Sequence, residues 1–187
     1  MKKTFSVLLI GAVVAISFYS FSTESRNKKP LSAIKYTCLP CGSGCDTMVY
    51  DVPGTCSHCN MKLIDQSTIV HKNIQPDQLC SLDNKKVIFL DVRTAEEFNG
   101  TAEDKFGAIK NAINIPVQEL ETRMNELEKY KDKEIIVYCS HSHRSPRASY
   151  LLTQNGFKKV TNMLGGMSVW KDLVKKNDCN ERLYKQQ

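Results

Sequence analysis

The chain has 187 residues, with 26 Lys and Arg against 20 Asp and Glu, for a net charge of +6. That length suits one ordinary domain plus a small second one. The basic residues are scattered over the N-terminus, a linker and the tail without interleaved aromatic residues, which argues for a solvated surface and against a nucleic-acid partner. Of the eight Cys, five lie between Cys38 and Cys59, a metal signal before it is a disulfide signal.

Lys2 and Lys3 precede an uncharged run from Phe5 to Phe21, and Ser20-Phe21-Ser22 offers small residues at the spacing a signal peptidase accepts. Residues 1–22 therefore read as a secretory signal peptide, which places the rest in the periplasm or outside the cell. The alternative is an uncleaved anchor, since the run is near the lower limit for spanning a bilayer; only then would the chain have a membrane partner. No Cys follows closely enough for lipoprotein attachment. Residues 23–35 are polar and read as a linker.

Residues 36–64 form the Cys-rich segment. Cys38-Leu39-Pro40-Cys41 and Cys56-Ser57-His58-Cys59 are two Cys-x-x-Cys pairs separated by a Gly-containing loop, and Cys45 is a fifth thiol between them. Two such turns can place four thiolates on a tetrahedron, so Cys38, Cys41, Cys56 and Cys59 are the expected metal ligands, with Cys45 in reserve. Zn(II) is the expected ion and Cu(I) the alternative. So short a segment cannot bury enough core to fold unaided; a structural metal, a metal-handling role and disulfides remain open. Tyr36-Thr37-Cys38 and Pro53-Gly54-Thr55-Cys56-Ser57-His58-Cys59-Asn60-Met61-Lys62-Leu63 resemble the small heavy-metal-binding domain of copper and silver export proteins. That pattern has Gly where Asn60 stands and His where Cys41 stands. The resemblance implies metal binding and a metal-handling or redox partner protein.

Residues 65–73 are a polar connector, with His71 expected at the surface. From residue 74 to 175, short apolar runs alternate with helical spacing, and residues 176–187 form a charged tail. Ile74 to Leu79 reads as a short strand, a turn and a helix start. Val87-Ile88-Phe89-Leu90 reads as a buried parallel strand. Asp91 and Arg93 follow at its C-terminal end with an expected structural role, Arg93 pairing with Glu96 or Glu97 and Asp91 bonding loop amides. Leu120, Met124 and Leu127 have the spacing of an amphipathic helix over 119–130. Val160 begins an expected edge strand, and Gly165-Gly166 turns toward a last helix with Trp170 in the core. Strands alternating with helices predict an α/β fold, a parallel sheet covered on both faces, with ligands bound beyond the C-terminal strand ends. Cys80 and Cys179 are a conceivable disulfide that nothing in the sequence brings together.

The chemistry concentrates in Tyr138-Cys139-Ser140-His141-Ser142-His143-Arg144-Ser145-Pro146. Ile135 to Tyr138 reads as a buried strand, and Pro146 suits the first position of a following helix. Cys139 then sits between a strand end and a helix N-terminus, where unpaired N–H groups, the helix dipole and Arg144 favour a reactive thiolate. Cys139, His141 and His143 are also metal-competent, but in a curled loop the two His belong on the rim.

This loop is similar to the active-site loop of the rhodanese family. Leu90-Asp91-Val92-Arg93, Gly107-Ala108-Ile109-Lys110-Asn111-Ala112-Ile113-Asn114-Ile115-Pro116 and Leu164-Gly165-Gly166 with Trp170 resemble further family motifs in the same order, over roughly residues 74 to 175. The resemblance implies a rhodanese-like sheet and sulfur transfer from thiosulfate or a persulfide donor, through a Cys139 persulfide, to a thiol or cyanide. It implies a cradle of Ser140, His141, Ser142, His143 and Ser145, with Arg144 on the donor's anionic end and no cofactor. Ser142 and Asn111 stand where the family pattern has Gly, and Ala108 where it has His. If the loop position needs positive φ, Ser142 strains it, and the competing expectation is a metal-binding protein with a non-catalytic rhodanese-like scaffold.

Overall fold

The computed structural model describes residues 34–83, 85–174 and 178–187. The expected signal peptide and nearly all of the linker lie outside them. Among the described residues, no helix is long and apolar enough to cross a membrane.

In chain order the strands are β1 (Tyr36–Thr37), β2 (Ile64–Asp65), β3 (Lys72–Ile74), β4 (Val87–Asp91), β5 (Ala108–Ile109), β6 (Ile113–Asn114), β7 (Glu134–Tyr138), β8 (Val160–Met163) and β9 (Tyr184–Lys185). The α-helices are α1 (Ala95–Asn99), α2 (Arg144–Gln154), α3 (Trp170–Leu173) and α4 (Asp178–Leu183). A five-stranded sheet has the order β3-β8-β7-β4-β6, and every neighbouring pair in it is parallel. Its strands alternate faces as period-two geometry requires. Along β7, Ile135 and Val137 enter the core that holds Leu120, Leu127 and Leu152, with Cys139 continuing that side. Ile136 and Tyr138 enter the opposite core around Phe89, Met163 and Trp170. Both faces are apolar because both are covered, the condition an all-parallel sheet requires.

Several local expectations are corrected. β8 is an interior strand, because Lys72 and Asn73 of the expected connector join Ile74, where a short strand is expected, to form β3 outside it. The segment 119–130 buries Leu120, Met124 and Leu127 as expected, but as turns and a 3-10 helix over Met124–Tyr130. The end of the expected charged tail folds back: β9 pairs antiparallel with β5, and Cys179 of α4 is disulfide-bonded to Cys80, with Cα atoms 5.4 Å apart. Trp170 is fully buried and donates from Nε1 to Asn180 Oδ1 at 2.8 Å, which anchors α4 from inside.

The Cys-rich segment is a small unit held by β1 and β2, which pair antiparallel, and by bridges from Tyr36 to Tyr50 and from Thr55 to Lys62. Its interior is mostly sulfur: Cys38, Cys45 and Cys56 are buried beside Leu63, with Cys41, Cys59 and Met61 against them. It lies against the side of the larger domain that carries the loop after Cys139. A side chain on Gly42 would begin 2.6 Å from the His143 ring, and Gly42 itself has φ +84°. A cleft of about 430 Å³ between the two units is lined by Cys38, Asp46, His71, Ser142, His143 and Asn162, among others. His71, expected at the surface, is thus half-buried in this seam with its Nδ1 unpartnered.

Candidate active site

β7 delivers Cys139 to the C-terminal edge of the sheet, where its side chain is 1% exposed. Ser145 Oγ lies 3.5 Å from its Sγ. The helix after the loop starts at Arg144, two residues before Pro146, and the His143 side chain does not cap it. Its first-turn N–H groups are therefore not consumed by a side-chain acceptor and face the loop that carries the sulfur. The loop carbonyls are turned the other way. Cys139 O accepts from Met167 N and Ser168 N donates to Ser140 O, both at 2.9 Å. Gly166 makes this possible: it has φ +64°, and a Cβ there would stand 2.4 Å from Ser140 O and 2.5 Å from Cys139 O. Gly165-Gly166 turns toward the last helix as expected, and Gly166 also lets this second loop hydrogen-bond the first.

Ser142 adopts φ +60°. The backbone does demand the left-handed region there, and a serine meets that demand. Its Oγ accepts from Asn162 Nδ2 at 3.3 Å, and the same amide donates to Asn73 Oδ1 at 2.9 Å. Asn162 on β8 thus ties the loop to β3. The other non-glycine residues with positive φ are Asn60 and Asn111, at 58° and 60°. All three occupy positions where the resembled family patterns carry glycine, and Asn is the side chain that tolerates this region best after Gly.

Arg144 does not stand free. Its Nη1 and Nη2 donate to Glu97 Oε2 and Oε1 at 2.6 and 2.7 Å, and Nη2 also donates to Ser140 Oγ at 2.8 Å. Hydrogen bonding to Glu97 raises the Arg144 pKa above its ordinary value, with a smaller contribution from nearby Cys139. Burial acts to raise the Glu97 carboxyl, but hydrogen bonds from Arg144 and the Thr94 N–H outweigh it and hold it below its ordinary range. Glu97 is also half of a capping box with Thr94 at the start of α1, so one carboxylate fixes both a helix N-terminus and the loop arginine. The sequence alone offered Glu97 as a partner for Arg93. Arg93 instead pairs with Asp91, at 2.7 Å with both side chains fully buried, and Nη2 donates to Gly107 O at 2.9 Å. Asp91 Oδ1 accepts from the Arg93 N–H, so its expected bond to a loop amide is present.

His141 and His143 are exposed on the rim, their rings 6.1 Å apart, with Phe106 edge-on to His141 at 5.2 Å. Neither converges with Cys139 on a common point. Among the described residues, the side chains that gather closely enough to hold a metal ion are Cys38, Cys45, Cys56 and Cys59, and separately Cys41, Cys45 and Asp46. Cys45, held in reserve by the spacing, is fully buried and gathers with Cys38, Cys56 and Cys59, whereas Cys41, an expected ligand, gathers with Cys45 and Asp46. The 3-10 turn Gly44–Thr47 swings Cys45 inward, and Asp46 Oδ1 receives the Cys41 N–H at 2.8 Å with the Cys41 Sγ 3.3 Å away. Burial pushes the Cys38 thiol well up and the Cys45 thiol to about 12, while hydrogen bonding from Tyr50 brings Cys56 down to about 5. Burial acts to raise Asp46 too, but the Cys41 and Gly42 N–H groups and the charge of His143 hold it low.

The rhodanese-like domain pattern matches residues 76–173, more than half of the chain. A sulfurtransferase of Allochromatium vinosum is 33% identical over 88 residues, which is 47% of this chain and 75% of that protein. A tRNA uridine(34) hydroxylase of Cronobacter sakazakii is 32% identical over 90 residues, 46% of this chain but 24% of that protein. Among such curated relatives, the chain spans from about a quarter to three quarters of their length. A crystal structure of a rhodanese-related protein from Thermoplasma volcanium is 33% identical, covers 55% of this chain and 92% of its own, and superposes with a TM-score of 0.47. With the sheet order, the Cys139 loop and the match over residues 76–173 in agreement, the chain belongs to the rhodanese-like domain family.

Proposed function

We propose that the protein is an exported sulfurtransferase that carries sulfane sulfur on Cys139. The observation that supports this most directly is the loop itself: Cys139 and Ser140 turn their carbonyls out to Met167 and Ser168, an arrangement in which a curled loop can present its N–H groups to the sulfur. Only four residues separate Cys139 from Arg144, so the ring suits one added sulfur atom better than a tetrahedral oxyanion. The Cys139 thiolate attacks the outer sulfur of thiosulfate or of a persulfide donor. An S–S bond forms on Cys139 while the donor's own bond to that sulfur breaks, its electron pair leaving on sulfite or on the donor thiolate. A thiol, as its thiolate, or cyanide then takes the outer sulfur and returns Cys139 as thiolate. N–H groups of the loop from Ser140 to Ser145 stabilise the terminal sulfur's charge. Arg144 supplies positive charge at the rim, partly neutralised by Glu97. The partners are small sulfur donors and thiol acceptors. Work outside the cytoplasm is supported by Lys2-Lys3 with the apolar run after them, and by the Cys80–Cys179 disulfide, a bond that persists in oxidising compartments.

A second reading, a metal-binding protein whose rhodanese-like domain is a scaffold, draws support from the bidentate hold of Glu97 on Arg144, which occupies the guanidinium that would greet an anionic donor. Mass spectrometry separates the two. Incubated with thiosulfate or a low-molecular-weight persulfide, the wild type gains roughly 32 Da and thiosulfate yields sulfite, while Cys139→Ser stays folded and gains nothing. Failure of the wild type to take up sulfur from any of these donors refutes the enzyme reading and leaves the scaffold.

A further inference from the structure

The interior of the Cys-rich unit is built largely from thiols. Its buried aliphatic content is little more than Leu39 and Leu63, while three fully buried or nearly buried thiols occupy the place a core would take. A unit this small needs a cross-link. Cys38 Sγ and Cys59 Sγ are 3.8 Å apart, and the ligand sulfurs of Cys38, Cys45, Cys56 and Cys59 all lie within 4.8 Å of one another. With metal–sulfur bonds of about 2.3 Å, a tetrahedron has sulfur–sulfur edges of about 3.8 Å. Two local structures hold this shape. The turn after Cys56 closes by Cys56 N donating to Met61 O and Asn60 N donating to Cys56 O, each at 2.9 Å, with Asn60 in the left-handed region. The 3-10 turn Gly44–Thr47 brings Cys45 in from the other side.

We infer that Cys38, Cys45, Cys56 and Cys59 bind one Zn(II) ion as a tetrathiolate, and that Cys41, the member of the first Cys-x-x-Cys pair that spacing alone would choose, lies outside the site. Soft, uniformly sulfur donors in a tetrahedral arrangement select this class of ion. Binding forms four metal–sulfur bonds and displaces to solvent whatever protons the four sulfurs still carry; no electron is transferred. Cys41 is 3.7 Å from Cys45 and is held at the rim by Asp46, next to the Gly42 contact with His143. The site is independent of the sulfur chemistry at Cys139.

The test uses the full chain, reduced with the Cys80–Cys179 bond kept, under anaerobic conditions. Zn(II) is titrated against a chromophoric chelator and Co(II) is followed by its thiolate charge-transfer and tetrahedral visible bands. One ion per chain is expected. Cys41→Ser should retain affinity within roughly threefold and keep the four-sulfur spectrum, whereas Cys45→Ser should weaken binding by at least roughly 100-fold and change that spectrum. Sulfur uptake at Cys139 in the Cys45→Ser variant reports that the larger domain is still folded. The inference is overturned if Cys41→Ser abolishes binding while Cys45→Ser keeps it, if the wild type with free thiols binds neither ion, or if both single variants bind as the wild type does.

Discussion

Substitutions at Ser142 test the backbone conformation on which the proposed persulfide cradle rests. The residue has φ +60°, and its hydroxyl accepts one hydrogen bond, of 3.3 Å, from Asn162 Nδ2. Ser142→Ala keeps the left-handed backbone and loses that bond, for a cost of about 0.5–1 kcal/mol; the low end applies because Asn162 retains its bond to Asn73. Ser142→Gly loses the same bond but removes the left-handed penalty of about 1 kcal/mol, so it should stand near the wild type and about 1 kcal/mol above Ala. Ser142→Val adds a β-branched side chain where it is least tolerated and should fall roughly 1–2 kcal/mol below Ala. For a chain of this size each kcal/mol is about 2–4 °C in melting temperature, so the series is resolvable by thermal unfolding. Sulfur uptake by mass spectrometry should persist in Gly and Ala and decline in Val. A Val variant as stable and active as Gly, or a Gly variant less stable than Ala, would refute the left-handed assignment and the cradle built on it.

Gly166→Ala should be among the most damaging small substitutions in the domain. The new Cβ would stand 2.4–2.6 Å from backbone atoms of Cys139 and Ser140, so the two loops must part; roughly 3 kcal/mol, about 6–12 °C in melting temperature, with loss of sulfur uptake, is expected. An unchanged melting temperature would show that Gly166 does not touch the loop. The Glu97 carboxyl sits below its ordinary range in the fold, so its stabilisation is complete above the unfolded pKa of about 4.3 and is lost as pH falls through the lower folded value. The stability gap between wild type and Glu97→Gln should therefore be constant near neutrality and shrink below about pH 4; a gap that does not narrow on acidification means the Glu97–Arg144 pair contributes nothing.

What sequence reading reached and what it missed divide along sequence distance. Cys139 at a strand end, a helix soon after it (expected from Pro146 and starting two residues earlier, at Arg144) and the alternation that builds a two-faced sheet are local patterns, and their geometry follows from residues a few positions apart. Glu97 and Arg144 are 47 residues apart, and nothing near either names the other; composition offers many carboxylates for one arginine. Gly166 could be read as a turn, but only the fold shows that Cys139 and Ser140 carbonyls occupy the space its missing side chain leaves. A short strand at Ile74 could be read, but Lys72 and Asn73 are too polar to announce their part in it or its pairing with β8. Cys-x-x-Cys spacing favoured Cys41 over Cys45, and only the fold shows that a single turn of 3-10 helix brings Cys45 beside Cys38, Cys56 and Cys59. Ser142 at a glycine position is the case in which a departure noted in the sequence kept its physical meaning in the structure.

The placement of β3 beside β8 bears on how the chain is assembled. Lys72 aligns with Thr161, so the outermost register of the sheet joins residues almost half the chain apart, while β7 and β8 join over a much shorter span. Loop-closure entropy weighs most heavily on the pairing with the largest separation. β4, β7 and β8 can assemble around the Cys139 loop first, with β3 docking afterwards and drawing the Cys-rich unit against His143. The wall of the cleft is then the last part of the molecule to arrive in folding and the first to leave in partial unfolding. Amide exchange should show the seam opening at a lower free energy than the central strands, while the sulfur-carrying loop behind it stays closed.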